Sequence, residues 1–98
     1  MNSELNKYIS ILNVNFDHLQ KVFSVKKIAI FGSVARGDNT PVSDIDILVE
    51  FNKPVGFFQF IRLETYLKRI LGKKIDLATQ NALKSKIKKQ IIQEAIYV

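Results

Sequence analysis

The chain has 98 residues, of which 47% are hydrophobic, and 15 Lys and Arg against 9 Asp and Glu give it a net charge of +6. This length suits one small domain with a single core. The lack of cysteine excludes disulfide scaffolds, zinc knuckles and thiol nucleophiles. No apolar run is long enough for a membrane span and the first residues lack a signal-peptide pattern, so we expect a cytoplasmic protein with no membrane partner. The positive charge favours an anionic partner, with a solvated basic surface as the alternative.

The first third of the chain predicts a helical segment and then a strand. Apolar residues recur at steps of three and four between residues 3 and 23, which is typical of one face of a helix. Asn13 or Asn15 could divide this segment into two helices, and the sequence leaves that open. Residues 26–31 form a short apolar run between Lys and Gly, which predicts a buried strand. Residues 32–43 are rich in Gly and small polar residues and predict a turn with room for one helical turn.

A strand and a long helix are predicted next. Residues 45–51 are apolar and β-branched, which predicts a second strand that Pro54 ends. Between residues 56 and 71 apolar residues repeat at helical spacing, with Phe57 among the core positions. Gly72 suits the left-handed position that ends such a helix.

The C-terminal quarter predicts one more strand and one more helix. Residues 74–79 read as a third strand. Apolar positions from Leu83 to Ile96 keep helical spacing, which predicts a last helix with Asn81 as its N-cap.

Three acidic residues carry the strongest chemical signal. Asp44 and Asp46 lie two apart at the start of the second strand, so both carboxylates point to one face. Such a pair repels itself and suits two hard cations that also bind substrate phosphates, although ordinary exposed acids are the alternative. Asp76 alternates with Ile75 and Leu77 in the third strand. If that strand lies beside the second, Asp76 completes a three-carboxylate cluster; otherwise it faces solvent on an edge strand.

A phosphate-binding turn is predicted directly after the first strand. Gly32 lets backbone N–H groups approach a phosphate closely, and Ser33 adds a hydroxyl donor. A Walker loop is excluded because Asp38 stands where that motif needs Lys. Arg36 could supply positive charge to a triphosphate, and a structural pairing with Asp38 or Asp44 is the alternative.

These motifs together resemble a known family. The order GS, ten residues, DID and a later KKIDLAT resembles the minimal nucleotidyltransferases of the DNA polymerase beta superfamily, and the matching blocks run from about residue 28 to 98. The resemblance implies an α+β fold, the palm-like nucleotidyltransferase fold, with a small mixed β-sheet flanked by helices. It also implies one domain over residues 1–98, with an N-terminal helical segment at 1–24 and a catalytic core at 26–98.

The resemblance further implies an activity and a role for each matched residue. Members of this family transfer a nucleoside monophosphate from a nucleoside triphosphate, here expected to be ATP, and release pyrophosphate. By this likeness Asp44 and Asp46 bind two Mg²⁺ ions. Asp76 completes the metal site and helps to deprotonate the acceptor. Gly32 and Ser33 hold the triphosphate.

Chains this short in the family are similar to the antitoxins of prokaryotic toxin–antitoxin pairs whose partner is an all-helical HEPN-domain ribonuclease. The likeness implies transfer of AMP to a hydroxyl of that toxin, which neutralises it within a hetero-oligomer. Two alternatives stay open: a non-catalytic antitoxin that inhibits by binding, and, with less support, a basic RNA-binding protein. Nucleic acid is not the expected partner, because no aromatic residue is interleaved with the C-terminal lysines.

One residue of the second long helix is a candidate contact for the partner. Phe58 falls opposite the apolar face of that helix, and Arg62 and Arg69 share its side. Exposed aromatic and Arg residues are favoured at interface hot spots. Burial of Phe58 under a neighbouring loop is the alternative.

Overall fold

The structure is a computed structural model and describes residues 3–98. Along these residues the helices are α1 (Ser3–Val14), α2 (Phe16–Phe23), α3 (Gly32–Arg36), α4 (Phe57–Leu71) and α5 (Ser85–Glu94). The strands are β1 (Val25–Phe31), β2 (Ile45–Phe51), β3 (Ile75–Thr79) and β4 (Ile96–Tyr97), and a 3₁₀ turn covers Gln80–Ala82. No helix among the described residues is both long enough and apolar enough to cross a bilayer.

The strands form one mixed sheet in the order β3-β2-β1-β4. Strand β2 runs antiparallel to β1 and parallel to β3, and β4 pairs antiparallel with β1. The parallel pair requires a crossover, which α4 supplies. As a result, the end of β1 and the starts of β2 and β3 lie on the same side of the sheet, with β2 in the middle. Phe31 is opposite Asp46, and Asp46 is beside Asp76.

The two faces of this sheet are covered very differently. On one face Ile45 and Ile47 are fully buried in a large core that includes residues of α1, α2 and α4. Each such buried side chain contributes about 1.5–3 kcal/mol relative to exposure. On the other face Leu48 packs against Ile91 of α5 in a much smaller cluster. Because side chains alternate along a strand, Asp46 lies on this thinly covered face.

Asn15 divides the N-terminal helical segment into two helices. Its backbone N–H and its side-chain amide both donate to the carbonyl of Ile11, at 3.2 and 2.8 Å. Its Oδ1 accepts a hydrogen bond from the Tyr66 hydroxyl at 3.0 Å. Asn13 stays inside α1. The question left open by the sequence is therefore settled in favour of two helices, with the break at Asn15.

Several predicted boundaries are confirmed. The second strand covers residues 45–51, and residues 32–36 of the predicted turn form the short helix α3. Gly72 follows α4 with φ of 69°, the left-handed conformation expected of it, and its N–H donates to the carbonyl of Lys68 at 2.9 Å.

Two predictions for the C-terminal quarter are wrong. Asn81 does not cap the last helix, because it lies in the 3₁₀ turn and α5 begins at Ser85 after Lys84. Ile96 is not helical, because it pairs with Ile30 in the edge strand β4. A strand of two residues is too short to show alternating polarity, so the sequence pattern assigns Ile96 to the preceding helix.

The prediction that Phe57 belongs to the core is also wrong. Phe57 is the first residue of α4 and is 73% exposed, whereas the buried residues of this helix, Leu63, Leu67 and Leu71, lie further along it. Phe58 is 81% exposed, so the alternative in which a loop buries it is excluded. The two rings contact each other edge to face, with centroids 5.9 Å apart.

Candidate active site

The sheet register brings the predicted carboxylates to one edge of the sheet. Asp46 of β2 and Asp76 of β3 are direct neighbours in a parallel pair, so their side chains leave the same face of the sheet about 5 Å apart. Asp44 comes two residues before Asp46, immediately ahead of β2, and is exposed. Asp76 is exposed as well, whereas Asp46 is half-buried between them. The register therefore places Asp76 beside Asp46, which is the strand pairing on which the three-carboxylate hypothesis depends.

The surroundings of Asp46 disfavour its negative charge. Burial raises the pKa of the Asp46 carboxyl to about 6, and the charges of Asp76 and Asp44 and a hydrogen bond with Asp76 act in the same direction. The positive charge of Arg36 acts in the opposite direction but does not outweigh them. The site therefore holds more negative charge than the protein itself neutralises.

Such a site fits a divalent cation that arrives with its substrate. Among residues 3–98 no three acidic or His side chains form a ready-made cage for a metal ion. Mg²⁺ rarely needs one, because it is usually held by one or two carboxylates together with water and substrate phosphates. The hard carboxylate oxygens at this edge, and the unfavourable charge of Asp46, match that kind of binding.

The raised pKa of Asp46 predicts a pH-dependent stability for the metal-free protein. Because the pKa in the folded state lies above the value of 3.8 for the free side chain, ionising Asp46 destabilises the fold. This penalty is absent below about pH 4 and complete above about pH 6, and solvent screening of this partly exposed group limits it to about 1–2 kcal/mol.

Asp46→Asn should remove this penalty. In urea titrations without Mg²⁺, the free energy of unfolding of the variant should equal that of the wild type near pH 4 and exceed it by about 1–2 kcal/mol at pH 7. A difference that stays constant or shrinks as the pH rises would contradict the assignment of this group.

Gly32 lies against the carboxylate of Asp46. It is buried, begins α3 and has a φ of 71°. A Cβ added at this position would be 3.0 Å from Cγ of Asp46 and closer still to Oδ2. Only glycine therefore combines this backbone conformation with this close approach. Ser33 follows at the start of the short helix and is partly buried, and of the two predicted phosphate-binding residues it is Gly32 that lies against the acidic edge.

Hydrogen bonds shape the loop that leads to Asp44. Its first turn closes where the carbonyl of Ser33 accepts from the N–H groups of Gly37 and Asp38, at 2.9 and 3.0 Å. Further on, the backbone N–H of Thr40 donates to Oγ of Ser43 at 2.9 Å. Asn39 Nδ2 donates to Oε2 of Glu4 in α1 at 2.8 Å, which ties the loop to the N-terminal helix. These contacts hold the entry to β2 in place.

Arg36 is paired with two acids. Its Nε donates to Oδ2 of Asp38 at 3.2 Å, which is one of the structural pairings that the sequence suggested. Its Nη1 donates to Oε1 of Glu94 at 3.1 Å. The sequence does not indicate Glu94 as a partner, because it lies 58 residues away on a helix that no motif connects with the site. Asp44 is not among the partners of Arg36 that the structure shows.

The acidic edge is an open surface. A cavity of about 720 Å³ lies at the other end of β2, where the loop of residues 52–56 meets the start of α4. None of the three carboxylates lines it, since they lie at the start of β2 and β3. Asp44 and Asp76 are exposed, so these carboxylates are open to solvent.

Neighbouring strand carboxylates beside a glycine turn fit a class of enzyme that transfers phosphate-linked groups with the help of divalent cations. The chain matches the nucleotidyltransferase domain family over residues 12–98. It therefore belongs to that family, and the family and α+β fold implied by the motifs are confirmed.

Individual relatives agree with this assignment. Protein adenylyltransferase MntA of Thermococcus cleftensis is 40% identical over 94 residues, which cover 96% of this chain and 95% of that protein. A solved structure described provisionally as a minimal nucleotidyltransferase superposes with a TM-score of 0.73 at 27% identity, covering 93% of this chain and 88% of that one.

A more distant structure shares the fold. It is a complex of a tri-AMPylated Shewanella oneidensis HEPN toxin with an MNT antitoxin, with a TM-score of 0.59 and 21% identity, covering 96% of this chain and 67% of that one.

Proposed function

We propose that this chain transfers AMP from ATP to a hydroxyl group of a HEPN-class toxin and thereby neutralises the toxin. The observation that carries the proposal is the pairing of Asp46 with Asp76 beside Gly32, which assembles an acidic site from two strands and a turn. The likeness to an adenylyltransferase over nearly the whole chain supports AMP as the transferred group. The reaction would take place in the cytoplasm, where ATP is available.

In the proposed reaction each residue has a separate task. Asp44 and Asp46 would hold two Mg²⁺ ions, which supply positive charge to the triphosphate and the leaving pyrophosphate. Asp76, beside Asp46, would accept the proton of the acceptor hydroxyl. The hydroxyl oxygen forms a bond to the α-phosphorus, the bond from that phosphorus to the β-phosphate oxygen breaks, and pyrophosphate leaves.

The remaining residues would bind the nucleotide. The backbone of Gly32 lies against Asp46, and the N–H groups of this turn and the hydroxyl of the next residue, Ser33, would donate to phosphate oxygens. Arg36 would contribute positive charge to the outer phosphates, since its charge already acts on Asp46. Because Asp44 and Asp76 are exposed, the acceptor protein would approach the carboxylates from the solvent side.

Transfer can be tested by labelling. The chain is incubated with Mg²⁺, a HEPN-domain toxin from the same genome and ATP labelled at either the α- or the γ-phosphate. We expect label on the toxin from α-labelled ATP only, together with loss of the toxin's ribonuclease activity. Label from the γ-phosphate would indicate a kinase, and no label from either would reject the proposal.

The aromatic pair of α4 is proposed to contact the toxin. Phe57 lines the 720 Å³ cavity, and Phe58 beside it is almost fully exposed, so together they offer both a groove and a projecting ring. Lys53 of the same cavity and Arg62, one turn after Phe58, place positive charge around the rings. This surface fits a partner whose apolar pocket is bordered by carboxylates.

Phe58→Ala should weaken toxin binding about 10- to 100-fold, as truncating a hot-spot aromatic does. Binding is measured by titration calorimetry, and the melting temperature and the affinity for MgATP should stay unchanged, because Phe58 is exposed and its neighbour Phe57 lines a cavity that none of the three carboxylates lines. Val14→Ala, which also truncates an exposed apolar side chain, is the control. Unchanged toxin affinity in Phe58→Ala would place the docking surface elsewhere.

A further inference from the structure

Arg36 is held from two sides by acids of different elements. Asp38 of the following loop binds Nε at 3.2 Å, and Glu94 near the end of α5 binds Nη1 at 3.1 Å. The Glu94 side chain is 24% exposed, against 47% for Arg36 and 61% for Asp38. Glu94 is therefore the most buried of the three, and its contact ties Arg36 to helix α5.

Two hydrogen bonds at different nitrogens fix the orientation of a planar guanidinium group. A guanidinium carries five N–H groups, and the contacts that the structure shows for Arg36 use one at Nε and one at Nη1. The other N–H groups stay available for phosphate oxygens, which bind guanidinium groups in a bidentate manner. A side chain oriented in this way loses less conformational freedom when a ligand binds.

We propose that Glu94 is a positioning residue for the triphosphate and acts through Arg36. This inference rests on the proposed function, because it assumes that Arg36 contacts the outer phosphates of ATP. Helix α5 would then contribute to nucleotide binding in addition to packing Ile91 against Leu48. If Glu94 instead kept Arg36 away from the nucleotide, Glu94→Ala would tighten the binding of MgATP and not weaken it.

The test measures the affinity of the full chain for MgATP by titration calorimetry. Glu94→Ala should weaken it about tenfold, and Glu94→Gln, which retains an acceptor without the charge, should retain part of it. In the Arg36→Ala background the same Glu94→Ala change should have no further effect, since the partner through which it acts is gone. AMP, which lacks the outer phosphates, should bind equally to the wild type and to Glu94→Ala.

Glu64→Ala is the matched control. Glu64 forms an ion pair with Lys68 at 3.4 Å on α4, and its side chain is 24% exposed, as that of Glu94 is. This variant should bind MgATP as the wild type does.

Three results would overturn the inference: an unchanged or tighter affinity for MgATP in Glu94→Ala, an undiminished effect of that change in the Arg36→Ala background, or an equal loss of AMP affinity. A wild-type chain that does not bind MgATP would reject the proposed function itself, and the inference with it.

Discussion

Replacing both Asp44 and Asp46 by Asn should lower the rate of AMP transfer at least about a thousandfold, which corresponds to about 4 kcal/mol in the activation barrier. Asn keeps the size of each side chain but removes the negative charge with which carboxylates hold Mg²⁺. The fold should survive, because Asp44 is exposed and the charge of Asp46 is already disfavoured in the folded state. Label transferred from α-labelled ATP to the toxin measures the rate, and thermal unfolding checks the fold.

The matched control replaces acids that the proposed site does not use. Asp17 forms an exposed ion pair with Lys21 on α2, and the partly buried Glu64 forms one with Lys68 on α4, so Asp17→Asn with Glu64→Gln removes the same number of charges. This control should transfer AMP at the wild-type rate. Undiminished labelling by the Asp44→Asn, Asp46→Asn variant would refute the assignment of the metal site. Loss of labelling with full neutralisation of the toxin in cells would instead favour the non-catalytic antitoxin.

Gly32→Ala should abolish AMP transfer and destabilise the chain by about 2 kcal/mol, which is about 10 °C in melting temperature for a domain of this size. Two effects add. The φ of 71° at this position is unfavourable for alanine. In addition, the Cβ of alanine would be 3.0 Å from Cγ and 3.2 Å from Cβ of Asp46. The backbone of β2 fixes the position of the Asp46 Cβ atom. The carboxylate can therefore make room only by rotating away from its place beside Asp76.

Gly72→Ala separates the two effects. Gly72 has nearly the same φ, 69°, but an added Cβ would meet nothing within 4 Å. This variant should lose about 1 kcal/mol from backbone strain alone and keep full AMP transfer. The two variants are compared by thermal unfolding and by labelling. Activity in Gly32→Ala as high as in Gly72→Ala would show that the close approach to Asp46 does not matter for catalysis.

Local sequence patterns were sufficient for much of the fold and for part of the site. The strand at residues 45–51 was predicted with its bounds because a β-branched run stands between clear breakers. The spacing of Asp44 and Asp46 predicts that both point to one face of that strand, but β2 begins at Ile45, so the pleat fixes only the direction of Asp46. Gly72 was recognised because few other residues end a helix in the left-handed conformation.

Features that depend on distant parts of the chain could not be predicted in the same way. Whether Asp76 joins the other two carboxylates is decided by the pairing of β2 with β3, and a slip of one residue would turn it to the other face. Strand β4 exists only because β1 offers it an edge, and two residues carry no periodicity of their own. Glu94 reaches Arg36 only after α5 has packed on the sheet, so no local pattern could reveal it.

Asp76 sits on the outermost strand of the sheet. Strand β3 has five residues and, in the part of the chain that the structure describes, a hydrogen-bonded neighbour on one side only, β2. Segments with few contacts, such as a short edge strand, can open locally at a free energy below that of complete unfolding. Each such opening would carry one carboxylate away from the other two while the rest of the molecule stays folded. AMP transfer would then depend on β3 staying paired with β2. On heating, we expect the activity to be lost at a temperature below the melting temperature of the chain.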